Sequence, residues 1–315
     1  MYKSFFQLSR DPFEISPDPY FFFPTPSHNE ALACISYGVR KRKGFVVMTG
    51  EVGTGKTLLV RCLLDVLSQN RVAFAHVFNP SLSPPHFLEF VAGEFGIDGS
   101  NLSRAALLRQ FDQYLIGRYK NGLNTAVVID EAQHLSWDLL EEIRLLTNLE
   151  TAQQKLLQIV LVGQAELEEK LDSAPLRQLK QRIALRCRLF PLQLSECVEY
   201  IEKRLERAGA GERRHSIFPP ETIKAMHRHS RGIPRLINIL ADNSLISAYA
   251  RQLPSVSPEI VNLVAAEFRL EVSAIPKEPT PDEECRAAAR YLLHYLLNSS
   301  RSAREKECAH FSSSY

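Results

Sequence analysis

The sequence has no long apolar run: no stretch approaches the roughly 18 apolar residues that a membrane-spanning helix needs. Its 6 cysteines form no Cys-x-x-Cys pair and have no histidine at zinc-ligand spacing, which argues against a zinc site and a disulfide framework. Charged residues appear early, at Arg10 and Asp11, and the beginning of the sequence carries no signal-peptide pattern. We therefore predict a soluble cytoplasmic protein with reduced thiols and no membrane span of its own.

Net charge is small as well. The formal net charge is +2, which argues neither for nor against a nucleic-acid partner, because only clustered charge is informative. Charged residues make up 23 % of the chain and hydrophobic residues 45 %, which is typical of globular proteins. A chain of 315 residues is long enough for two ordinary domains.

The most informative segment is the glycine-rich stretch at residues 50–57, which reads GEVGTGKT. An apolar run precedes it, and apolar residues at helical spacing follow it, so strand, loop and helix have the order of a phosphate-binding loop. Its three glycines let backbone N–H groups and the positive end of the helix face an anion. We expect ATP here, with Lys56 on its β- and γ-phosphates and Thr57 on Mg²⁺.

Two carboxylates end a further apolar strand, predicted at residues 125–131. We expect Asp130 to hold Mg²⁺ directly or through water, and Glu131 to orient the water that attacks the γ-phosphate. Neighbouring strand residues point to opposite faces, so both can serve only where the backbone turns at the strand's end. Alone, the pair is equally compatible with a helix N-terminus. Together with the loop, it indicates an ATPase.

Three further polar positions complete the predicted site. Gln164 ends the next strand, where it either contacts the γ-phosphate and the attacking water or caps a helix. Arg182, or as a second choice Arg177, is expected to reach a neighbouring subunit's nucleotide, because a guanidinium stabilises charge on the transferring phosphoryl group. The alternative is a basic exposed helix. Arg235 opens a helix and is expected to report phosphate occupancy.

The complete prediction groups these residues by role, and Lys56 and Thr57 each have two roles. Catalytic roles fall to Glu131, Lys56, Gln164 and Arg182, and the Mg²⁺ ligands are Thr57 and Asp130. The residues predicted to contact nucleotide are Gly50, Glu51, Val52, Gly53, Thr54, Gly55, Lys56, Thr57, Leu58 and Arg235.

The pattern along the chain predicts four segments. Residues 1–43 form an aromatic and proline-rich strap, too interrupted for a regular element, followed by a first helix of the ATPase domain. The strap either fills a core or lines an adenine pocket. Alternating strands and helices predict an α/β domain with a parallel sheet at 44–194, and an uninterrupted helical pattern predicts a helical lid at 195–272. Residues 273–315 read as a proline-rich linker, a short helix and a disordered tail.

The motifs together resemble the AAA+ ATPases of the general secretion pathway protein A type, also called ExeA-like. The resemblance rests on the loop, on Asp130-Glu131-Ala132-Gln133, on Gly163-Gln164, on Gln181-Arg182-Ile183 and on Gly232-Ile233-Pro234-Arg235. It implies a P-loop α/β domain followed by a helical lid, working as a ring or filament with nucleotide between subunits. It also implies Gln164 as first sensor, Arg182 as trans finger and Arg235 as second sensor.

The same core is similar to transposition regulators of the TnsC and MuB kind, which assemble on DNA. The first hypothesis is therefore a Mg²⁺-dependent ATPase that oligomerises and remodels or regulates an unknown protein partner, in a secretion or envelope polysaccharide system. The alternative is an ATP-dependent DNA-binding regulator, supported by basic residues at 40–43, 177–188 and 213–214. A scaffold with little turnover is a third hypothesis, against which Glu131 argues. Longer family members carry a membrane span and a peptidoglycan-binding domain, which are not recognisable here.

Overall fold

The computed structural model describes residues 1–16, 18–78, 80–100 and 102–270. The predicted linker, short helix and tail at 273–315 lie outside the described residues. Within the described part, the chain divides into two compact units. One unit contains Met1–Thr25, Gly50–Cys62 and the residues from Leu189 onwards, and the other contains Pro26–Thr49 and Leu63–Arg188.

Helices and strands alternate up to residue 189, and in the described residues from there to 270 only helices follow. The elements in chain order are α1 (Tyr2–Phe6), α2 (Pro26–Arg40), β1 (Phe45–Gly50), α3 (Lys56–Gln69), β2 (Ala73–Val77), α4 (Pro84–Glu94), α5 (Arg104–Lys120), β3 (Thr125–Ile129), α6 (Trp137–Leu146), β4 (Gln158–Gly163), α7 (Ala165–Asp172), α8 (Arg177–Lys180), β5 (Ile183–Leu189), α9 (Leu194–Arg207), α10 (Arg214–Ile217), α11 (Pro220–Ser230), α12 (Pro234–Ala250) and α13 (Pro258–Glu267).

The sheet has the strand order β2-β3-β4-β1-β5. Strands β2, β3, β4 and β1 pair in parallel, with Val77 opposite Ile129, Ile129 opposite Leu161, and Thr49 opposite Gly163. The carboxyl ends of these four strands therefore meet at one edge of the sheet. The parallel sheet with flanking helices and a helical region after it confirms the predicted fold class.

The central strands β1, β3 and β4 are buried on both faces, as their continuous β-branched and apolar runs predict. Alternate residues such as Phe45, Val127 and Ile159 pack in one core with helix residues including Phe87 and Phe111. Burying a side chain of this kind stabilises the fold by about 1.5–3 kcal/mol. This core fixes the ends of the strands, and with them the polar residues that follow.

Strand β5 is an edge strand that the sequence analysis did not assign. Its residues alternate between partly buried and exposed, with Arg186 and Arg188 on the exposed side. Charged residues at every second position are typical of an edge strand, because they discourage pairing with another chain. Because its exposed residues include two arginines, the segment was interpreted as a basic stretch, and its period-2 alternation was not recognised as that of a strand.

The N-terminal segment belongs to the helical unit. Phe6, Leu8 and Phe13 are buried in the same core as α9, α11, α12 and α13. The guanidinium of Arg204 on α9 donates to the carbonyl of Pro12 at 2.6 Å, and the N–H of Ser9 donates to the carbonyl of Ala208 at 2.7 Å. These contacts are those of core filling, and the lining of an adenine pocket stays a prediction. The strap also contains one short helix, α1, although its prolines and aromatic residues had predicted no regular element there.

Candidate active site at the carboxyl end of the sheet

The glycine-rich loop leaves β1 at Gly50 and enters α3 at Lys56. Gly53 and Gly55 have φ angles of +83° and +98°, a region that other residues rarely adopt. Between them, both the N–H and the hydroxyl of Thr54 donate to the carbonyl of Glu51, at 3.3 and 2.8 Å. Successive N–H groups in such a turn form a concave surface that suits an anion, and phosphate binding by this loop stays a prediction.

Lys56 starts α3 and is 6 % exposed. Its ammonium donates to the carbonyls of Gly50 and Glu51, each at 2.9 Å. The charge is therefore held against the loop backbone rather than extended into solvent. Thr57 follows on the first turn of the helix and is partly buried. Val52 is 55 % exposed and Leu58 is partly buried, so the loop presents backbone rather than bulky side chains.

The start of α12 lies against this loop, within the same unit. The N–H of Arg235 donates to the carbonyl of Gly53 at 3.2 Å. A Cβ at position 53 would lie 2.8 Å from Cβ of Arg235 and 3.0 Å from Cγ2 of Ile233, so only glycine fits. Gly232 is equally constrained, because a Cβ there would lie 2.0 Å from the carbonyl oxygen of Leu192. Arg235 itself is exposed beside the loop.

The backbone turns sharply at the end of β3, as the two carboxylates require. The N–H of Asp130 donates to the carbonyl of Val77 at 2.8 Å and continues the ladder with β2. Glu131 has a φ of 51°, and its N–H donates to Oδ1 of Asp130 at 2.9 Å. Asp130 is only 3 % exposed, whereas Glu131 is partly exposed. The two carboxylates therefore occupy different environments at the same strand end.

Gln164, at the end of the neighbouring strand β4, contacts Glu131. Its Nε2 donates to Oε2 of Glu131 at 3.2 Å, and its side chain makes no capping bond to α7. The same Oε2 accepts a second bond, from Nε2 of Gln133 at 2.6 Å. Sequence reasoning included Gln133 in a motif but assigned it no role. Its only sequence signal was a position two residues after Glu131.

A lysine on α7 supports the turn that carries these residues. The ammonium of Lys170 donates to the carbonyl of Gln133 at 3.3 Å and to that of Leu135, and it lies 5.3 Å from the ring centre of Trp137. Burial lowers the pKa of Lys170 from its ordinary value. The 3-10 turn Ala132–His134 is thus fastened to the helix that follows Gln164.

The two candidate finger arginines differ in their contacts. The guanidinium of Arg182, just before β5, donates to the hydroxyl of Thr147 at 2.8 Å and to Oδ1 of Asn148 at 2.6 Å. Arg177 is exposed at the start of α8, and its guanidinium makes no hydrogen bond to any described residue. The structure brings neither arginine into contact with Glu131 or Gln164 among the described hydrogen bonds. Arg182 as the trans finger stays a prediction.

Comparison with known proteins relates this site to a family. The family model described as an AAA domain matches residues 39–171. The chain is 43 % identical over 283 residues to general secretion pathway protein A of Aeromonas hydrophila. The match covers 89 % of this chain and 50 % of the relative, so the chain spans about half the length of the curated relative it matches. Residues 39–171 therefore resemble an AAA domain, and the chain is similar to AAA+ ATPases.

Solved AAA+ structures share the fold at low sequence identity. Drosophila ORC bound to DNA has a TM-score of 0.60 at 17 % identity, over 85 % of this chain and 66 % of that one. Cdc6p from Pyrobaculum aerophilum has a TM-score of 0.56 at 17 % identity, over 84 % and 70 %. The ORC2 protein of Aeropyrum pernix, in its ADPNP-ADP complexes, has a TM-score of 0.53 at 18 % identity, over 76 % and 66 %. These likenesses concern the fold alone. The predicted relation to the TnsC and MuB regulators stays a prediction.

The chain carries donors that suit Mg²⁺ and ATP. A threonine hydroxyl and a carboxylate, at Thr57 and Asp130, are the hard oxygen ligands that Mg²⁺ uses together with phosphates and water. Among the described residues, no group of three or more His, Cys, Asp or Glu side chains is placed to hold a metal ion.

Some residues of the predicted basic set have local partners. Arg186 pairs with Glu168, and Lys180 lies 2.7 Å from Asp172. Arg42 donates to the carbonyl of Leu123 at 2.9 Å, and burial lowers its pKa. Exposed side chains in the run at 40–43 belong to Arg40, Lys41 and Lys43.

Among the described helices, none is long and apolar enough to cross a membrane.

Proposed function

We propose that this chain binds ATP with Mg²⁺ and hydrolyses it. The observation that carries the proposal is the contact between Glu131 and Gln164, where the end of β3 meets the end of β4. The chain enters the glycine-rich loop from β1, which pairs with β4 in parallel. Similarity to the AAA domain family over residues 39–171 supports the same conclusion, since the loop, the carboxylate pair and the polar end of β4 all lie within that range.

Each residue has a distinct task in this proposal. Lys56 and the backbone N–H groups of the loop bind the β- and γ-phosphates. Thr57 and Asp130 hold Mg²⁺, which neutralises charge that develops on the phosphates. Glu131 orients the attacking water, and Gln164 fixes the position of that carboxylate.

We further propose that the active form is an oligomer. Arg182, or alternatively Arg177, would then reach the nucleotide of a neighbouring subunit and stabilise the charge of the transition state. Arg235, beside the loop, would couple phosphate occupancy to the helical unit. The partner that such a cycle remodels is proposed to be a protein, and the name of the Aeromonas relative points to a secretion assembly.

The experiment is ATP hydrolysis measured over a range of protein concentrations, with Mg²⁺ and with EDTA. We expect turnover per subunit to rise with concentration, because the finger arrives from a neighbour, and to vanish in EDTA. Absence of hydrolysis at every concentration contradicts the proposal. Turnover per subunit that is independent of concentration refutes the oligomeric part alone.

DNA binding is the second candidate function, and one surface favours it. Arg118 donates to the carbonyls of Arg71 and Asn124, each at 2.9 Å, and Arg42 reaches Leu123. These bonds bring together the turns at the amino ends of β1, β2 and β3. The exposed cations on these turns and their helix ends are Arg40, Lys41, Lys43, Arg71 and Lys120.

Such a surface binds a phosphate backbone through charge, so the affinity falls steeply with salt. The test is binding of duplex DNA with and without ATP at two salt concentrations. A matched pair of variants is Lys41→Glu with Lys43→Glu against Lys224→Glu, an exposed position on α11. Salt-sensitive binding that only the first change weakens supports the second candidate. Binding that the two changes affect equally contradicts it.

A further inference from the structure

Glu131, Gln133 and Gln164 form a closed ring of hydrogen bonds. Gln133 donates from Nε2 to Oε2 of Glu131 at 2.6 Å, and its Oε1 accepts from the backbone N–H of Gln164 at 3.1 Å. Gln164 closes the ring by donating from its own Nε2 to the same Oε2 of Glu131 at 3.2 Å. We propose that Gln133 is a positioning residue that holds the Glu131 carboxylate in place for hydrolysis. The inference rests on the proposed ATPase function.

Both ends of the Gln133 amide are engaged, which leaves one orientation for the side chain. With the amide reversed, an oxygen would face the carboxylate of Glu131 and an NH₂ group would face the N–H of Gln164, and neither pair can bond. Only a residue with a donor and an acceptor at this length satisfies both partners. A carboxylate of the same size, as in glutamate, would place an acceptor against Glu131.

The residues around Gln133 leave space for its side chain. A Cβ on Gly163 would lie 2.9 Å from Oε1 of Gln133 and 2.8 Å from Cδ2 of Leu167. Glycine at the last position of β4 therefore leaves the space that the Gln133 amide occupies. On the backbone side, the ammonium of Lys170 binds the carbonyl of Gln133 at 3.3 Å. The residue is fastened at both its main chain and its side chain.

This arrangement matters for Glu131 because that residue sits in a left-handed turn, with φ of 51°, and is partly exposed. Without a fixed donor, a partly exposed glutamate side chain samples several rotamers. Displacement of a catalytic group by about 1 Å lowers a rate by about a hundredfold. Gln133 bonds to the carboxylate and to a backbone N–H, so its loss should slow hydrolysis and leave nucleotide affinity unchanged.

The first test compares Gln133→Met, which keeps the length and removes the amide, with Gln133→Glu, which keeps the acceptor for Gln164 and removes the donor to Glu131. We expect kcat for ATP to fall about tenfold to a hundredfold in both, with KM and ADP affinity within about twofold of wild type. Retained ADP affinity also reports that each variant is folded. The matched control is Gln110→Met, an exposed glutamine on α5, which should match wild type.

A double-mutant cycle separates positioning from general damage. If Gln133 acts through the Glu131 carboxylate, Gln133→Met should cause no further loss in a Glu131→Gln background, measured by single turnover. An equal, additive loss in both backgrounds overturns the proposal. So does an unchanged kcat in both Gln133 variants while wild type hydrolyses ATP. A wild-type protein that binds ATP without hydrolysing it refutes the proposed function instead, and is thereby distinguishable.

Discussion

The backbone N–H of Arg235 donates to the carbonyl of Gly53 at 3.2 Å, which joins the first turn of α12 to the phosphate-binding loop. The two residues are far apart in sequence, because strands β2 to β5 lie between them along the chain. Their contact means that the conformation of the loop and the position of α12 depend on each other. Any change that moves the loop on nucleotide binding must therefore move, or break from, the start of this helix.

The first prediction concerns the glycine of that contact. Gly53→Ala introduces a Cβ 2.8 Å from Cβ of Arg235 at a φ of +83°, so we expect a loss of about 1–3 kcal/mol in unfolding free energy. Nucleotide binding should fall with it, because the loop can no longer hold its shape. Denaturant unfolding and binding of an ATP analogue measure both effects.

The control for this change is Gly117→Ala on α5, where a new Cβ meets nothing within 4 Å. A glycine in a helix interior costs up to about 1 kcal/mol relative to alanine, so this variant should be slightly more stable than wild type. If Gly53→Ala binds the ATP analogue with the affinity of wild type, the loop does not need a glycine in the left-handed conformation.

The second prediction separates binding from hydrolysis. Lys56→Ala should abolish nucleotide binding, because it removes the ammonium that the loop holds. Glu131→Gln should bind ATP normally, hydrolyse it slowly and accumulate as a stabilised oligomer. Turnover, analogue affinity and sedimentation measure the three properties. Glu169→Gln, an exposed carboxylate on α7, is the matched control. Normal turnover in Glu131→Gln would remove Glu131 from the catalytic role.

The third prediction distinguishes the two finger candidates. Arg182→Ala breaks bonds to Thr147 and Asn148, so it should cost about 1–3 kcal/mol of stability, whereas Arg177→Ala should leave stability unchanged. The true finger variant should lack activity alone and regain part of it when mixed with Lys56→Ala subunits, because each supplies a different half of a shared site. Mixing that restores nothing at any ratio, for either arginine, argues against a finger in trans.

The fourth prediction concerns pH and the N-terminal segment. The hydroxyl of Tyr2 donates to Oδ1 of Asp242 on α12 at 2.6 Å. Burial, with the negative charges of Asp242 and Asp11, raises the pKa of Tyr2 well above its ordinary value of 10.0. A raised pKa means that the unfolded chain loses this proton first, so the stabilisation is complete below pH 10 and is lost as the pH rises above it.

Tyr2→Phe should therefore lower the unfolding free energy by about 0.5–1.5 kcal/mol at neutral pH, through loss of the hydrogen bond. The difference between wild type and variant should shrink above pH 10. Unfolding by urea at pH 7, 9 and 10.5 measures it. A difference that grows with pH would contradict the assigned direction of the pKa shift.

Local patterns predicted most of the sheet and its polar ends. The runs at β1, β3 and β4 are apolar and β-branched over their whole length, a pattern typical of strands that are buried on both faces. The glycines and the lysine of the loop have a fixed spacing. Asp130 and Glu131 follow such a run directly, so their place at the sheet edge needs no long-range information. The N-cap of α6 is local in the same way, because the hydroxyl of Ser136 accepts from the N–H of Leu139, three residues later, at 3.1 Å.

Other features depend on residues that are distant in sequence. The sequence did not predict β5, because its exposed arginines led to an interpretation as a basic stretch. It gave no role to Gln133, because this side chain meets both of its partners only when β3 and β4 are paired.

The sequence by itself determined that this protein has a phosphate-binding loop, a parallel sheet and a carboxylate pair at a strand end, because each follows from backbone sterics and apolar periodicity within a few residues. Tertiary structure alone decided that Gln133 bridges Glu131 and Gln164, that Arg235 binds the loop, and that Phe6 and Phe13 fill the helical core. Those contacts join residues far apart in the chain, and their formation depends on packing that no local pattern encodes.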